Sequence, residues 1–224
     1  MHIPLTRYGL PQVIVYPLLV LVLMLVLFAV FRPATWLILP EIVLFLVFVW
    51  MLSFFRDPAR NIAYDENILF SPADGTITDI GDVDCVEQGG KALRIGMFLS
   101  VFNVHVNRVP CSVQIEKITY RKGKFKNAMS GESSKINESN DITMIRVDEP
   151  KDRLFMRQIS GAVARHIVCE AREGGKYRQG EKFGMIKFGS RAELYLPQGN
   201  HYEIAVKIGD PVRAGLTPLV RYKK

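Results

Sequence analysis

The residues able to do chemistry are few. Near the C-terminal end, Lys187-Phe188-Gly189-Ser190-Arg191 separates two apolar, β-prone pieces, Phe183 to Phe188 and Ala192 to Leu196. A glycine followed by serine at such a junction either makes a plain turn or bends a strand sharply enough to present a hydroxyl. Of the four histidines, His2 is terminal, His166 falls in an apolar strand pattern and His201 follows Pro197-Gln198-Gly199-Asn200. His105 stands in Phe98-Leu99-Ser100-Val101-Phe102-Asn103-Val104-His105-Val106-Asn107-Arg108-Val109-Pro110. Apolar neighbours there favour a neutral imidazole, as a base requires, and a hydrogen-bonded structural histidine fits the same pattern. Asp74 lies on an Asp-Gly turn in Ser71-Pro72-Ala73-Asp74-Gly75-Thr76, either as a turn residue or as a carboxylate that orients an imidazole. No metal-ligand spacing, phosphate-cradling glycine loop or dinucleotide fingerprint competes with them.

The elements that must position these residues divide sharply by composition. Hydrophobic residues make up 49% of the chain and are concentrated at its start. From Gly9 to Phe31 there is no charge, and a helix of that length spans roughly 34 Å, enough to cross a bilayer. Arg32-Pro33 ends this run, and a second, from Ala34 to Phe55, is weakened by Pro40-Glu41. The first run is too long for a signal peptide, and no small-residue cleavage site follows it. Residues 1–56 therefore read as an α-helical membrane hairpin, either fully crossing or re-entrant in one leaflet. Arg7, Arg56 and Arg60 flank its outer ends, which places both termini and the rest of the chain on the cytoplasmic side of the cell membrane.

Residues 57–224 read as mainly β. Short segments rich in Val, Ile, Phe and Tyr recur between turn signals: Ile68 to Ser71, Gly75 to Ile80, Ala92 to Phe98, Val101 to Val109 and Ser112 to Tyr120. Others follow at Ile142 to Val147, Leu154 to Ile159, Ala162 to Ala171, Gly184 to Phe188, Arg191 to Leu196 and Tyr202 to Ile208. No long helical periodicity intervenes, so a barrel or sandwich is expected, a hybrid β domain of biotinyl/lipoyl-like type. Asn127 to Asp141 is polar and reads as a mobile loop. Before it, Lys117, Arg121, Lys122, Lys124 and Lys126 surround Tyr120 and Phe125, as a solvated strand end or a lipid-facing patch. Cys85, Cys111 and Cys169 are too widely spaced for a disulfide framework or a metal knuckle and read as buried thiols. The formal net charge of +7 suits an anionic lipid surface; no nucleic-acid recognition module is evident.

The order Ser-Pro-Ala-Asp-Gly-Thr, Phe-Leu-Ser-Val-Phe-Asn-Val-His-Val-Asn-Arg-Val-Pro, Asn137-Glu138 and Phe-Gly-Ser-Arg resembles phosphatidylserine decarboxylase proenzymes. The likeness covers roughly residues 55 to 224 and is to the short, type A-like, archaeal-type form. The longer bacterial branch has Leu-Gly-Ser-Thr where this chain has Phe188-Gly189-Ser190-Arg191, and a second histidine where this chain has Arg108. The resemblance implies self-cleavage between Gly189 and Ser190 into a large chain, 1–189, and a small chain, 190–224, which stay together as a heterodimer. It implies that Ser190 becomes a covalent pyruvoyl group, the pyruvate cofactor, which forms a Schiff base with the substrate amine. His105 would be the base and Asp74 its orienting partner, with Arg108 and Arg94 available for the substrate carboxylate or phosphate. The implied activity is decarboxylation of phosphatidylserine to phosphatidylethanolamine at the membrane.

Two other classes remain open at this level. A membrane-anchored, non-enzymatic adaptor or carrier would use the same hairpin and β domain, although no lysine flanked by methionines marks a hairpin tip. An ordinary serine hydrolase would need a Gly-x-Ser-x-Gly elbow, which is missing around Ser190.

Overall fold

The computed structural model describes residues 5–31, 35–129, 132–161, 167–187 and 189–223, with the side chains of residues 10 and 11 undescribed. His2, Arg32-Pro33, Phe188, His166 and the first half of the strand expected from Ala162 to Ala171 lie outside the described residues. The chain forms two compact units, Met1–Ala59 and Arg60–Lys224.

In the first unit, α1 (Leu10–Val30) and α2 (Ile38–Phe54) are apolar on all sides. Their segments Gln12–Val30 and Thr35–Phe54 have mean hydropathies of 3.1 and 2.5 and are long enough to cross a membrane. Leu18, Leu25, Phe28, Leu39, Phe45 and Leu46 point outward, a surface that is costly in water and suits lipid. Pro40 does not break α2 because it falls in the first turn, where its missing N–H has no intrahelical acceptor to lose. Glu41 borders a groove between the two helices beside Leu21, Phe28 and Ile38. The base of the hairpin is closed by the Thr6 N–H, which donates to the Phe55 carbonyl at 2.9 Å.

In the second unit the elements follow as β1 (Ile68–Phe70), β2 (Gly75–Cys85), β3 (Gly90–Leu99), β4 (Val106–Arg108) and β5 (Val113–Arg121). Then come α3 (Ser133–Ile136), β6 (Ser139–Arg146), β7 (Arg153–Ile159), β8 (Ile167–Cys169), β9 (Lys176–Tyr177) and β10 (Lys182–Ile186). The last are β11 (Ser190–Pro197), β12 (Tyr202–Ile204), β13 (Pro211–Val212) and β14 (Pro218–Tyr222). Among the described residues they form a large antiparallel sheet, β13-β2-β3-β11-β7-β6-β5-β9, curled into a half-barrel, and two small sheets, β1-β14-β12 and β4-β10-β8. Bulges between Ile77 and Asp79 and between Ile115 and Lys117 help it curl.

Strand alternation sorts the large sheet into two faces. One carries the main core, with Ile95, Met97, Leu99, Ile142, Met144, Leu154, Met156, Ala192 and Leu194 all fully buried. Each such Leu, Ile or Met contributes about 1.5–3 kcal/mol by leaving water, so this face fixes the register. The other face holds a smaller cluster of Cys85, Ala92, Phe155 and Tyr195, flanked by buried charges. The three cysteines are free thiols, and burial pushes Cys111 far above the usual thiol range, which leaves it unreactive.

Two expectations change. The segment from Asn127 to Asp141 is not a mobile loop throughout: it contains α3 and the start of β6, and Ser133, Ser134 and residues 137–141 are buried. Its polar groups find partners on other strands, such as Arg157, whose Nε lies 2.6 Å from Asp141 Oδ1. The strand expected from Val101 to Val109 shrinks to β4. A turn occupies its first part, with the Asn103 N–H donating to the Ser100 carbonyl and the Ser100 N–H to Asn103 Oδ1, at 2.9 and 2.8 Å.

Candidate active site

β11 and β3 are antiparallel neighbours with Ser190 opposite Leu99, while β10 pairs with β4 and places Met185 opposite Val106. The connections β3–β4 and β10–β11 therefore run side by side. The first carries His105 and the second carries Gly189, and the Ile186 N–H donates to the His105 carbonyl at 3.3 Å. Gly189 has φ +64°, the left-handed region that a side chain disfavours, and this kink delivers Ser190 as the first residue of β11.

Ser190 is fully buried on the core face, and its Oγ has no hydrogen-bond partner among the described residues. A buried hydroxyl left in that state costs about 1–3 kcal/mol, so its retention calls for a chemical reason. Gly161, two residues beyond the end of β7, comes so close that a Cβ on it would overlap the Gly189 carbonyl oxygen; the Ala128 methyl lies just beyond. The carbonyl next to Ser190 is thus walled by a backbone that only glycine allows.

His105 is fully buried, and its Nδ1 lies 2.9 Å from the Asn103 carbonyl oxygen. A carbonyl only accepts, so Nδ1 carries the proton and Nε2 the lone pair, the tautomer of a base. The Asp74 carboxylate is held by Arg60 through two contacts of 2.7 and 2.8 Å, and by the Ala214 N–H at 2.7 Å. Its turn still backs the site, because the Pro72 carbonyl accepts from the Arg108 N–H at 2.9 Å.

The two arginines expected near the substrate are placed differently. Arg94 lies opposite Tyr195, on the face of the sheet away from Ser190, and its Nε is 2.8 Å from Asp79 Oδ1. Arg108 is buried, with Nη1 donating to the Gly180 carbonyl at 2.9 Å. Asn137, from the Asn137-Glu138 motif, ties the Lys126 and Ser160 carbonyls together at 2.7 and 2.8 Å, which braces the chain leading into Gly161. In the basic segment before α3, Tyr120 is exposed and Arg121 pairs with Asp141 and Glu87. Lys187 is buried, and desolvation pushes its pKa down. Among the described residues no group of His, Cys, Asp and Glu could hold a metal ion.

Several site residues escaped the sequence reading. Asn103 and Arg60 act as partners across turns, which no local pattern announces. A buried chain of amides, Asn140 to Gln158 to Asn107 at 3.0 and 2.9 Å, links β6, β7 and β4, with Gln158 opposite Ala192 of β11. Gly161 did carry a signal, since a glycine directly after a strand end marks close backbone approach.

Known proteins of one family resemble this chain over most of its length. The family model described as phosphatidylserine decarboxylase matches residues 47–219. A phosphatidylserine decarboxylase proenzyme of Rhodopirellula baltica is 40% identical over 223 residues, covering 99% of this chain and 90% of the relative. Proenzymes of the same description from Carboxydothermus hydrogenoformans and Pelagibacter ubique are 40% and 42% identical, over 81% and 77% of this chain and 84% and 80% of their own lengths.

Proposed function

The chain belongs to the phosphatidylserine decarboxylase family, and from that premise we propose that it matures by cutting itself between Gly189 and Ser190 and then decarboxylates phosphatidylserine. That it is a decarboxylase follows from the family; the family membership leaves the carrier reading without support. The observation that carries the self-cleavage reading is the buried Ser190 Oγ without a hydrogen-bond partner, next to a kinked glycine whose carbonyl is pinned by Gly161.

Serine is a weak nucleophile at neutral pH, and His105 Nε2 is the lone pair available to accept its proton. Attack of Oγ on the Gly189 carbonyl carbon replaces the C–N bond by an ester, and the freed nitrogen takes up a proton. Removal of the Ser190 α-proton then expels the Gly189 carboxylate and leaves dehydroalanine. Water adds to its imine tautomer and ammonia departs, so position 190 ends as a ketone. Asp74 serves at one remove, by fixing the turn that supports β4, and Asn103 holds the imidazole.

The site suits a pyruvoyl group formed in place. Its precursor hydroxyl has no other partner, and the strand pairing on both sides of position 190 survives the cut. When present, that group supplies an electron sink for the bond that releases carbon dioxide. The chain's own residues then exclude water, since Ser190, His105 and Asn107 are fully buried, and His105 returns a proton to the carbon that lost its carboxylate. The large and small chains remain a heterodimer because β11, β12, β13 and β14 are built into the sheets. The apolar hairpin holds the catalytic unit at the cytoplasmic side of the membrane, beside anionic lipid that includes the substrate.

Reductive trapping tests this reading. Cyanoborohydride added with phosphatidylserine should attach the lipid amine covalently to residue 190 of the small chain and abolish activity. Lipid attached elsewhere, or full activity after treatment, would contradict it.

A further inference from the structure

The residue directly after Ser190 has a setting that the cleavage chemistry does not use. Arg191 points away from the active-site face, is only 2% exposed, and lies among residues of three strands. Its Nε donates to Glu193 Oε1 at 2.7 Å, one Nη donates to Thr78 Oγ1 at 2.8 Å, and the other pairs with Asp79 Oδ2. Glu193 is fully buried and also accepts from Ser134 Oγ at 2.9 Å and the Tyr195 hydroxyl at 2.6 Å. Burial works against the Arg191 charge, yet Glu193 and Asp79 outweigh it and hold the guanidinium above its ordinary pKa.

The sheet is shaped to let this arginine through. Arg191 is on β11 and Asp79 on β2, with β3 between them. Gly96 of β3 lies in the path, and a Cβ there would overlap both the Arg191 guanidinium and the Asp79 carboxylate. The bulge between Ile77 and Asp79 falls at the same place and re-aims the side chains of β2. A missing side chain, a bulge, the buried Glu193 carboxylate and the partly exposed Asp79 carboxylate thus converge on one guanidinium. Buried ion pairs add little net stability, so such an arrangement is better explained by what it holds still.

What it holds is the start of β11. On the self-cleavage reading, position 190 becomes a chain end carrying the reactive ketone, and free strand ends fray. We propose that Arg191 is a positioning residue, which anchors the cut end of β11 to β2 from behind the sheet and so keeps the group at position 190 aligned with His105. It touches neither substrate nor reacting atoms. Before the cut, the covalent bond to Gly189 does the same work and Arg191 is dispensable for alignment.

This proposal rests on the cleavage reading, and its test separates the two. Lysine at 191 keeps the charge but cannot serve Glu193, Thr78 and Asp79 at once. The cut Arg191→Lys protein should carry the carbonyl group and show kcat reduced by about tenfold or more, with KM changed by less than about twofold. Amide exchange over residues 191–193 should quicken in that cut protein, and stay slow in the uncut Ser190→Ala/Arg191→Lys double variant. Wild-type kcat in fully cut Arg191→Lys would overturn the anchor, as would equal loss of protection in both backgrounds. Should Arg191→Lys fail to fold, Gly96→Ala keeps every charge while closing the passage. The same kcat loss and the same exchange contrast, with Ser190→Ala/Gly96→Ala as the uncut control, are then expected, and their absence overturns the anchor. Wild type that remains a single chain would instead overturn the cleavage reading, and the anchor with it.

Discussion

Ser190→Ala is expected to give one uncut chain that takes up no carbonyl reagent and releases no carbon dioxide from phosphatidylserine. The loss should reach the uncatalysed background, on the order of 10⁶-fold or more, because the nucleophile and the later ketone come from the same side chain. The fold should not suffer. Ser190 is fully buried with its hydroxyl unsatisfied, so replacing it by a methyl removes a desolvation cost of about 1–3 kcal/mol and leaves the β11 pairing intact. The variant should therefore melt at or above the temperature of an uncut wild-type chain. Thermal unfolding, intact mass and carbon dioxide release together check this. A variant that is inactive only because it is unfolded would deprive Ser190 of its assigned role, and one that is still cut would remove it altogether.

The second large effect is expected at a residue without any reactive group. In Gly161→Ala the new methyl would overlap the Gly189 carbonyl oxygen, and the Ala128 methyl behind it limits retreat. Forcing one extra carbon into such a contact costs about 1–3 kcal/mol, and the chain relieves it by moving the carbonyl. A displacement of about 1 Å at a reacting atom is worth on the order of 10²-fold in rate, so maturation should slow by about that factor. The stalled precursor should also resist hydroxylamine, which cuts an ester but not an amide, because attack itself is blocked. Wild-type maturation in Gly161→Ala would show that the carbonyl needs no such wall. Rapid scission by hydroxylamine would move the block to the later elimination.

How much of this was legible in the sequence depends on how local each cause is. The helical hairpin follows from two apolar runs, the second interrupted by Pro40-Glu41, and β5 from alternation, since a half-buried strand needs nothing beyond its own pattern. Ser190 and His105 stood out because glycine-serine junctions and a histidine among apolar residues are unusual locally. The segment around α3 was misread because its serines, asparagines and acids looked solvated. Their burial depends on Arg157 and Glu193, which arrive from distant strands. Asp74 reads as a turn residue, and its carboxylate is held by Arg60, from a connector with no pattern of its own. The Arg191 passage was equally hidden, because it needs a glycine on one strand and a bulge on another. Short strands such as β9 and β13 have too few residues to show any period.

The central claim is that the chain cuts itself at Gly189-Ser190 to make its own reactive carbonyl. Intact mass spectrometry of the full chain, purified in detergent, tests it most directly. The account predicts two chains, 1–189 and 190–224, with the small one lighter than a serine-started peptide by one ammonia and reactive toward a carbonyl reagent. A single chain of full length, from a sample shown to be folded, would contradict it.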